Sequence, residues 1–172
     1  MNDVASREPV RVLFLCTQNA ARSQIAEALL SRRGRSRFVA ASAGTEPAAR
    51  IHPLTASTLR RAGIDWEQAR PRSVGEVLDV PGWDMVITLC DRARETCPTL
   101  PAGTVTAHWS IPDPSVADSG EEGTSAFWNV LTMISRRIDL LCALPDEKVR
   151  ELSAGQTIQE SHDAESAKEG MR

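Results

Sequence analysis

Residues 12–30 read VLFLCTQNAARSQIAEALL, and this segment decides the fold. Its apolar start, residues 12–15, predicts a buried strand, and the residues after Ser23 predict a helix. Between them lies a loop of the form Cys-x5-Arg-Ser, which runs from Cys16 to Ser23. A strand that passes through a short loop into a helix is typical of the units from which parallel α/β sheets are built.

The loop between this strand and helix is suited to hold a tetrahedral oxyanion against a cysteine. Its amides and the helix N-terminus would point at one place, where partial positive charge favours an anion. The same field lowers the pKa of a cysteine thiol, and Arg22 adds a planar fork of donors for phosphate-like oxygens. The segment therefore predicts an enzyme with Cys16 as its nucleophile. The predicted oxyanion-binding residues are Thr17, Gln18, Asn19, Ala20, Ala21, Arg22 and Ser23.

The composition is that of one globular domain, and its charge does not suggest a strongly charged binding partner. The chain has 172 residues and a formal net charge of −3, which gives no reason to expect nucleic acid or an anionic membrane as a partner. No apolar run approaches the roughly 18 residues of a membrane span, and the N-terminus lacks the apolar core of a signal peptide. Four cysteines in a chain of this length are not the framework of a small secreted domain. We therefore expect a cytoplasmic protein.

The rest of the chain alternates strands with helices. Further strands are predicted over residues 36–42, 85–89 and 104–108, and helices over residues 23–33, 53–62, 73–78 and 126–144. This alternation predicts a single α/β domain with a four-stranded parallel sheet, in the order 2-1-3-4, and helices on both faces. Residues 1–9 are expected to be a flexible N-terminus, residues 10–144 the folded domain, and the polar residues 145–172 a disordered tail.

Chemically active side chains follow three of the predicted strands. Cys16 follows the first strand, Cys90 the third, and Asp113 lies just beyond the fourth. In open parallel sheets ligands sit at the carboxyl edge, where the strand order reverses, and the first and third strands are neighbours there. Cys16 and Cys90 are therefore expected to face one crevice, with Asp113 overhanging it from the next loop.

Cys90 and Cys97 form a second pattern, Cys-x6-Cys, which is followed by Pro98. In a helix the two cysteines would lie about 10.5 Å apart along the axis, whereas a disulfide tolerates Cα separations of about 4.4–6.8 Å. A Cys90–Cys97 disulfide would therefore require the helix to unwind, and Pro98 keeps that helix marginal. The pair predicts a redox switch, with two inert buried cysteines as the alternative.

The other candidate residues are assigned structural roles. Cys142 lies on the apolar face of the last predicted helix and is expected in the core. His108 and Trp109 are assigned to packing, and His52, before a proline, to the start of a helix. No histidine stands at metal-ligand spacing from a carboxylate or cysteine, so no metal site is expected.

Together these residues resemble the thioredoxin-coupled arsenate reductases, which share the fold of the low-molecular-weight protein tyrosine phosphatases. The resemblance covers about residues 10–144. The anion loop is shared with the phosphatases, whereas the loop combined with Cys-x6-Cys and His-Trp-x3-Asp-Pro is specific for the reductases. Further matching segments are Ser42-Ala43-Gly44-Thr45, Pro53-Leu54, Ala62-Gly63-Ile64-Asp65 and His108-Trp109-Ser110-x-x-Asp113-Pro114.

The resemblance implies arsenate reduction, and with it arsenic detoxification, by a relay of three thiols. Cys16 attacks arsenate held by Arg22 and the loop amides, and Asp113 protonates the departing oxygen. Cys90 then attacks Cys16 and releases arsenite, and Cys97 attacks Cys90 to form a disulfide that thioredoxin reduces. Such a relay needs no cofactor, phosphate or sulfate would compete with arsenate, and a monomer is expected.

Three positions depart from the family pattern. Gln18 replaces a loop glycine of many relatives, and Ala69 lies where some have a histidine near the redox segment. Arg72 falls near an aspartate that some relatives use in a potassium site. A guanidinium there would repel a cation, so no potassium site is expected. The other residues of that site are present, namely Asn19, Glu27 and Ser42.

Three other functions compete with this interpretation. A low-molecular-weight tyrosine phosphatase would use Cys16, Arg22 and Asp113, but such enzymes usually present aromatic residues after the Asp-Pro pair, and this chain has Ser115 there and no tyrosine at all. A reductase coupled to glutaredoxin or a small thiol often lacks or respaces a resolving cysteine. An oxyanion sensor without turnover would need neither Cys90 nor Cys97.

Overall fold

Strand β1 (Val10–Cys16) lies in the middle of a parallel sheet in the computed structural model, which describes residues 8–67, 69–80, 82–117 and 120–153. The other strands are β2 (Phe38–Gly44), β3 (Met85–Thr88) and β4 (Val105–His108). All neighbouring strands run parallel in the order β2-β1-β3-β4. The predicted four-stranded parallel sheet and its strand order are confirmed.

Six helices surround the sheet within the described residues. They are α1 (Arg22–Gly34), α2 (Pro53–Arg61), α3 (Val74–Leu78), α4 (Asp91–Glu95), α5 (Glu121–Ala143) and α6 (Asp146–Ser153). Short 3-10 turns cover Arg35–Arg37 and Pro114–Val116. No described helix combines the length and the apolarity that a membrane crossing requires.

The core lies on both faces of the sheet because side chains along a strand alternate between faces. On one face Val12 and Phe14 of β1 pack with Ile25 of α1 and the apolar stripe of α5. On the other face Leu13 and Leu15 pack with α3 and with β3. All of these β1 side chains are fully buried, which explains the uninterrupted apolar sequence of this strand.

Helix α5 begins five residues earlier than predicted. Its N-cap is Gly120, and its first turn contains Glu121 and Glu122. Acidic residues in a first turn interact favourably with the helix dipole. The apolar periodicity used for the prediction starts only with the buried residue Phe127 and therefore missed this polar turn.

The prediction of a disordered tail from residue 145 onward is wrong for residues 146–153, which form α6. Val149 is only 1% exposed, and Leu152, one turn further along, also packs against the core. Arg37 secures the connection, since its guanidinium donates to the carbonyl oxygens of Cys142 and Leu144 at 2.6 Å each. Residues 1–7 and 154–172, which belong to the predicted flexible ends, lie outside the described residues.

Candidate active site

Cys16 ends β1, and its sulfur is enclosed by the loop that follows. The backbone N–H of Asn19 donates to Cys16 Sγ at 3.2 Å, and Ser23 Oγ lies 2.8 Å from the same sulfur. The residue is 2% exposed. The loop therefore closes around the predicted nucleophile, as its sequence requires.

The outer side of the loop is held by the chain between β2 and α2. The carbonyl oxygens of Cys16, Thr17, Gln18 and Ala20 accept hydrogen bonds of 2.9–3.1 Å. The donors are the backbone N–H groups of Thr45, Glu46, Ala48 and His52. In a trans peptide the N–H points away from the C=O, so these contacts turn the following loop amides inward. Inward amides are what an oxyanion site needs.

Two backbone features keep the loop in this shape. Asn19 has a φ of 50°, a left-handed conformation that asparagine tolerates better than most residues. Gly44 lies so close to the loop that an added Cβ would stand 2.5 Å from the carbonyl oxygen of Thr17. The loop therefore rests directly on the end of β2, and only glycine fits beneath it.

Arg22 and Asp113 meet across the mouth of the loop. Arg22 is the first residue of α1, and its Nη2 donates to Asp113 Oδ2 at 2.9 Å while its Nη1 donates to the Ile111 carbonyl at 3.2 Å. The predicted position of Asp113 over the site is confirmed. A small cavity of about 20 Å3 lies between these groups. It is lined by Cys16, Gln18, Ala20, Ala21, Arg22, His52, Asp113 and Ser115.

The two ionisable groups of this cavity are shifted in opposite directions. Burial raises the pKa of the Cys16 thiol, and it outweighs the lowering effects of Ser23, Arg22 and the Asn19 N–H. The predicted lowering of this pKa is therefore wrong for this conformation. Partial burial also acts to raise the pKa of Asp113, but the hydrogen bonds from Ser115 and the charge of Arg22 together lower it. The resting proton therefore belongs on Cys16 rather than on Asp113.

Cys90 lies beside the same loop, as predicted. It follows β3 and forms the N-cap of α4, where its sulfur accepts from the backbone N–H of Ala93 at 3.4 Å. Its sulfur also lies 3.4 Å from Thr17 Oγ1 of the anion loop. The sheet thus brings a second thiol to the carboxyl edge at which Cys16 stands.

Cys97 lies just beyond α4 and is partly buried. It lines a cavity of about 500 Å3 with Leu100, Pro101 and His108, beside the edge strand β4. Burial raises the pKa of its thiol. All four cysteines are free thiols, and Cys142 packs against the core as predicted.

Sequence reasoning missed the part that His52 plays in this site. His52 starts α2 as expected, since its Nδ1 accepts from the backbone N–H of Leu54 at 3.2 Å. Its ring also stacks on Phe127 at 4.7 Å and lines the cavity beside Asp113. The His-Pro pair signalled a helix start, but nothing local indicated that this helix begins at the anion loop.

The predicted packing role of Trp109 is confirmed, since its ring centroid lies 5.8 Å from that of Phe14. His108 has polar contacts instead. Its Nδ1 lies 2.8 Å from Thr88 Oγ1, and its Nε2 lies 3.2 Å from Asp91 Oδ1 at the start of α4. Among the residues that the structure describes, no three histidine, cysteine or acidic side chains are grouped as a metal site.

Comparison with known proteins matches most of the chain to one family. The family described as low molecular weight phosphotyrosine protein phosphatase matches residues 11–154. An arsenate reductase of Bacillus licheniformis is 34% identical over 120 residues, which cover 68% of this chain and 83% of the relative.

Two solved structures are similar over most of the chain. An arsenate reductase from Archaeoglobus fulgidus has a TM-score of 0.62 and 32% identity, covering 77% of this chain and 99% of its own. A thioredoxin-dependent arsenate reductase from Corynebacterium glutamicum has a TM-score of 0.62 and 33% identity, covering 86% of this chain and 65% of its own.

Proposed function

This chain belongs to the low molecular weight phosphotyrosine protein phosphatase family, and we propose that within it the chain reduces arsenate to arsenite through a relay of three thiols. One observation carries the proposal: Cys90 Sγ lies 3.4 Å from Thr17 Oγ1 of the loop that encloses Cys16. Hydrolysis of a phosphate ester needs only the first thiol. The relatives named arsenate reductase support the same choice of oxyanion.

In the first step the loop amides and Arg22 bind arsenate. Arsenate takes the place of the Asp113 carboxylate at the Arg22 guanidinium. The sulfur of Cys16 forms a bond to arsenic, and one arsenic–oxygen bond breaks. The proton of the Cys16 thiol leaves with that oxygen as water, and Asp113 passes it across. A lowered pKa of Asp113 suits a group that relays this proton rather than storing it.

In the second step the thiol of Cys90 attacks the sulfur of Cys16. A disulfide forms, the sulfur–arsenic bond breaks, and its electron pair stays on arsenic, which leaves as arsenite together with the proton of Cys90. The two electrons that reduce arsenic thus come from two cysteine sulfurs. Thiol–disulfide exchange of this kind proceeds by attack of a thiolate on sulfur.

In the third step the thiol of Cys97 attacks Cys90 and regenerates the thiol of Cys16. The new Cys90–Cys97 disulfide spans α4, whose five residues lie between the two cysteines, so α4 has to unwind. A reduced dithiol then returns the disulfide to two thiols, and we propose thioredoxin for this part. The name of the Corynebacterium relative supports thioredoxin as the reductant. We place the protein in the cytoplasm as a monomer, with phosphate and sulfate as competitors.

The test of the relay is Cys97→Ser, compared with Cys142→Ser as the matched control. Cys97→Ser is expected to complete one arsenate turnover and then stop, and mass spectrometry should find a disulfide between Cys16 and Cys90. Cys142→Ser should turn over repeatedly with thioredoxin, thioredoxin reductase and NADPH. Absence of the Cys16–Cys90 linkage, or equal turnover with a glutaredoxin system, would contradict the proposal.

A phosphatase is the second candidate, because Cys16, Arg22 and Asp113 meet in one cavity. These three groups are sufficient for a phosphocysteine mechanism. The cavity does not by itself favour an aromatic substrate, since Ser115 follows the Asp113-Pro114 pair. Rates of arsenate reduction and of aryl phosphate hydrolysis, measured on the same preparation, distinguish the two functions.

A further inference from the structure

A chain of hydrogen bonds connects Arg72, on the rim of the domain, with the buried sulfur of Cys16. Arg72 Nη2 lies 2.9 and 2.8 Å from the two carboxylate oxygens of Glu27. Ser42 Oγ donates to Glu27 Oε2 at 2.5 Å, and Asn19 Nδ2 donates to Ser42 Oγ at 2.8 Å. The same Nδ2 donates to Ser23 Oγ at 2.8 Å, and Ser23 Oγ lies 2.8 Å from Cys16 Sγ. The path therefore has no gap from guanidinium to sulfur.

The hydrogen atoms between Glu27 and Ser23 have only one consistent arrangement. A carboxylate can only accept, so the single hydrogen of Ser42 points to Glu27 and Ser42 accepts from Asn19. The amide orientation of Asn19 is fixed independently, because its Oδ1 accepts from Gln24 Nε2 at 3.1 Å and from the Arg72 backbone N–H at 2.8 Å. Asn19 gives its second N–H to Ser23. The hydroxyl hydrogen of Ser23 is then available to donate to Cys16 Sγ once that sulfur is a thiolate, whereas the protonated thiol can itself donate to Ser23 Oγ.

We propose that Arg72 is a positioning residue, which balances the charge of Glu27 and so keeps this chain aligned with Ser23 donating to Cys16 Sγ. The carboxylate needs such a partner because the Glu27 side chain is only 13% exposed. A buried charge that loses its partner is strongly destabilising. Arg72 acts on the loop twice, through this ion pair and through its backbone bond to Asn19.

The alignment matters because it favours the ionised form of the nucleophile. After burial, which raises it, the Ser23 hydrogen bond has the largest effect on the pKa of Cys16, and it lowers that pKa. A hydroxyl that donates to a thiolate stabilises the charged form. If the Ser23 hydroxyl donated elsewhere, burial would still raise the pKa of Cys16, and the lowering effect of this hydrogen bond would be lost. Arg72 would thereby tune the reactivity of a sulfur that it does not touch.

Other charged groups near Arg72 are placed differently. Arg70 and Arg72 line one cavity together with Glu27, Asp65 and Glu67. The Arg70 side chain is 75% exposed, and its nearest carboxylate is that of Glu76, at 3.7 Å. Arg70 therefore carries the same charge in the same cavity without joining the chain to Cys16, which makes it a matched control.

The inference rests on the proposed role of Cys16, and its test measures the Cys16 thiol rather than arsenate turnover, so that the two can fail separately. The rate of iodoacetamide alkylation is followed against pH by mass spectrometry of the tryptic peptide 12–22, which contains Cys16 alone. Arg72→Met is expected to raise the apparent pKa of Cys16 by about one unit, the order of shift that loss of a hydrogen bond to the charged form can cause. Arg70→Met should leave it unchanged.

A double variant tests whether the unbalanced charge of Glu27 causes the shift. In Arg72→Met/Glu27→Gln the amide still offers an oxygen to Ser42 but has no charge to balance, so most of the shift should disappear. The proposal is overturned by a parental profile in Arg72→Met, by an equal shift in Arg70→Met, or by a double variant as shifted as the single one. Should Arg72→Met fail to fold, Arg72→Gln decides the question, because the glutamine is uncharged and can still donate a hydrogen bond to Glu27. It is expected to raise the apparent pKa of Cys16 as well, and a parental profile there overturns the proposal.

Discussion

At the scale of single residues, Arg22 joins the two loops that form the site. Its guanidinium contacts Ile111 and Asp113, both of which lie beyond β4, while its backbone begins α1 beside the anion loop. Arg22 is almost fully buried, whereas the Asp113 side chain is 40% exposed. The pair therefore holds a partly exposed acid over a buried cation, and in the proposed mechanism arsenate replaces the Asp113 carboxylate at Arg22.

The lowered pKa of Asp113 predicts how stability depends on pH. A carboxyl group whose folded pKa lies below its unfolded value contributes stability above the unfolded pKa, about 3.9, and loses it as pH falls through the folded pKa. Asp113→Asn should therefore lower the thermal midpoint at pH 7, and the difference from the parent should disappear at acidic pH. Thermal unfolding between pH 2 and pH 7 measures this. Asp139→Asn, whose ion pair with Arg33 is exposed, should show no such trend.

Residues of the site could be predicted where they lie together in sequence. Cys16, Asn19 and Arg22 belong to one short loop, so their spacing alone indicated an anion site. His52 reaches the same cavity through the packing of α2, and Ile111 contacts Arg22 from the loop after β4. The direction of the Cys16 pKa was also predicted wrongly, because the loop motif carries no information on how deeply the sulfur would be buried.

At the scale of elements, α4 is the part of the fold on which the relay depends. Cys90 is at once its N-cap and the second thiol. Serine is among the best N-cap residues, so Cys90→Ser removes the thiol and keeps the helix. We expect multi-turnover arsenate reduction to be lost while slow aryl phosphate hydrolysis persists, with stability changed by no more than about 0.5 kcal/mol.

Parallel assays of both activities, with a thermal melt, test this prediction on Cys90→Ser. An equal loss of arsenate reduction and phosphate hydrolysis would mean that Cys90 supports the anion loop itself, through its contact with Thr17, rather than a separate redox step. Cys142→Ser serves again as the control, because Cys142 lies in the last turn of α5, beside Arg37.

Element boundaries were predictable where apolar periodicity or glycine marked them. Helix α1 ends at Gly34, as expected, and α2 is followed by Gly63 with a φ of 78°. The start of α5 and the whole of α6 escaped prediction because their first turns are polar. Helix α6 depends on long-range contacts with Arg37, which local sequence patterns do not reveal.

At the scale of the whole molecule, α6 closes the core beside β1. Val149 is buried, whereas Val116 is 84% exposed, so the two valines form a matched pair. Val149→Ala is expected to lower the free energy of unfolding by about 1–2 kcal/mol, since it leaves a small cavity. Val116→Ala should change it by less than about 0.5 kcal/mol. Urea denaturation of both variants measures the difference, and equal values would show that α6 is not part of the cooperative core.

The sheet order could be predicted from sequence because parallel strands with alternating helices allow few arrangements. That order alone placed Cys16, Cys90 and Asp113 at one edge, although they are far apart along the chain. The contacts that hold the loop from outside, from Thr45 to His52, required the actual path of the connection between β2 and α2. The topology could thus be predicted from the sequence, whereas the contacts that enclose the site could not.

The place of α4 in the chain determines which form of the enzyme accumulates when the relay stops. Cys16 and Cys90 stand at the carboxyl ends of β1 and β3, which pair directly in the sheet, whereas the residues of α4 lie between Cys90 and Cys97 along the chain. In the proposed relay arsenite therefore departs before any helix has to open. The form that waits for the helix carries a disulfide and no arsenic. A cell short of reductant would accumulate an oxidised enzyme without bound arsenic, and one dithiol would reduce its disulfide and restore the active form.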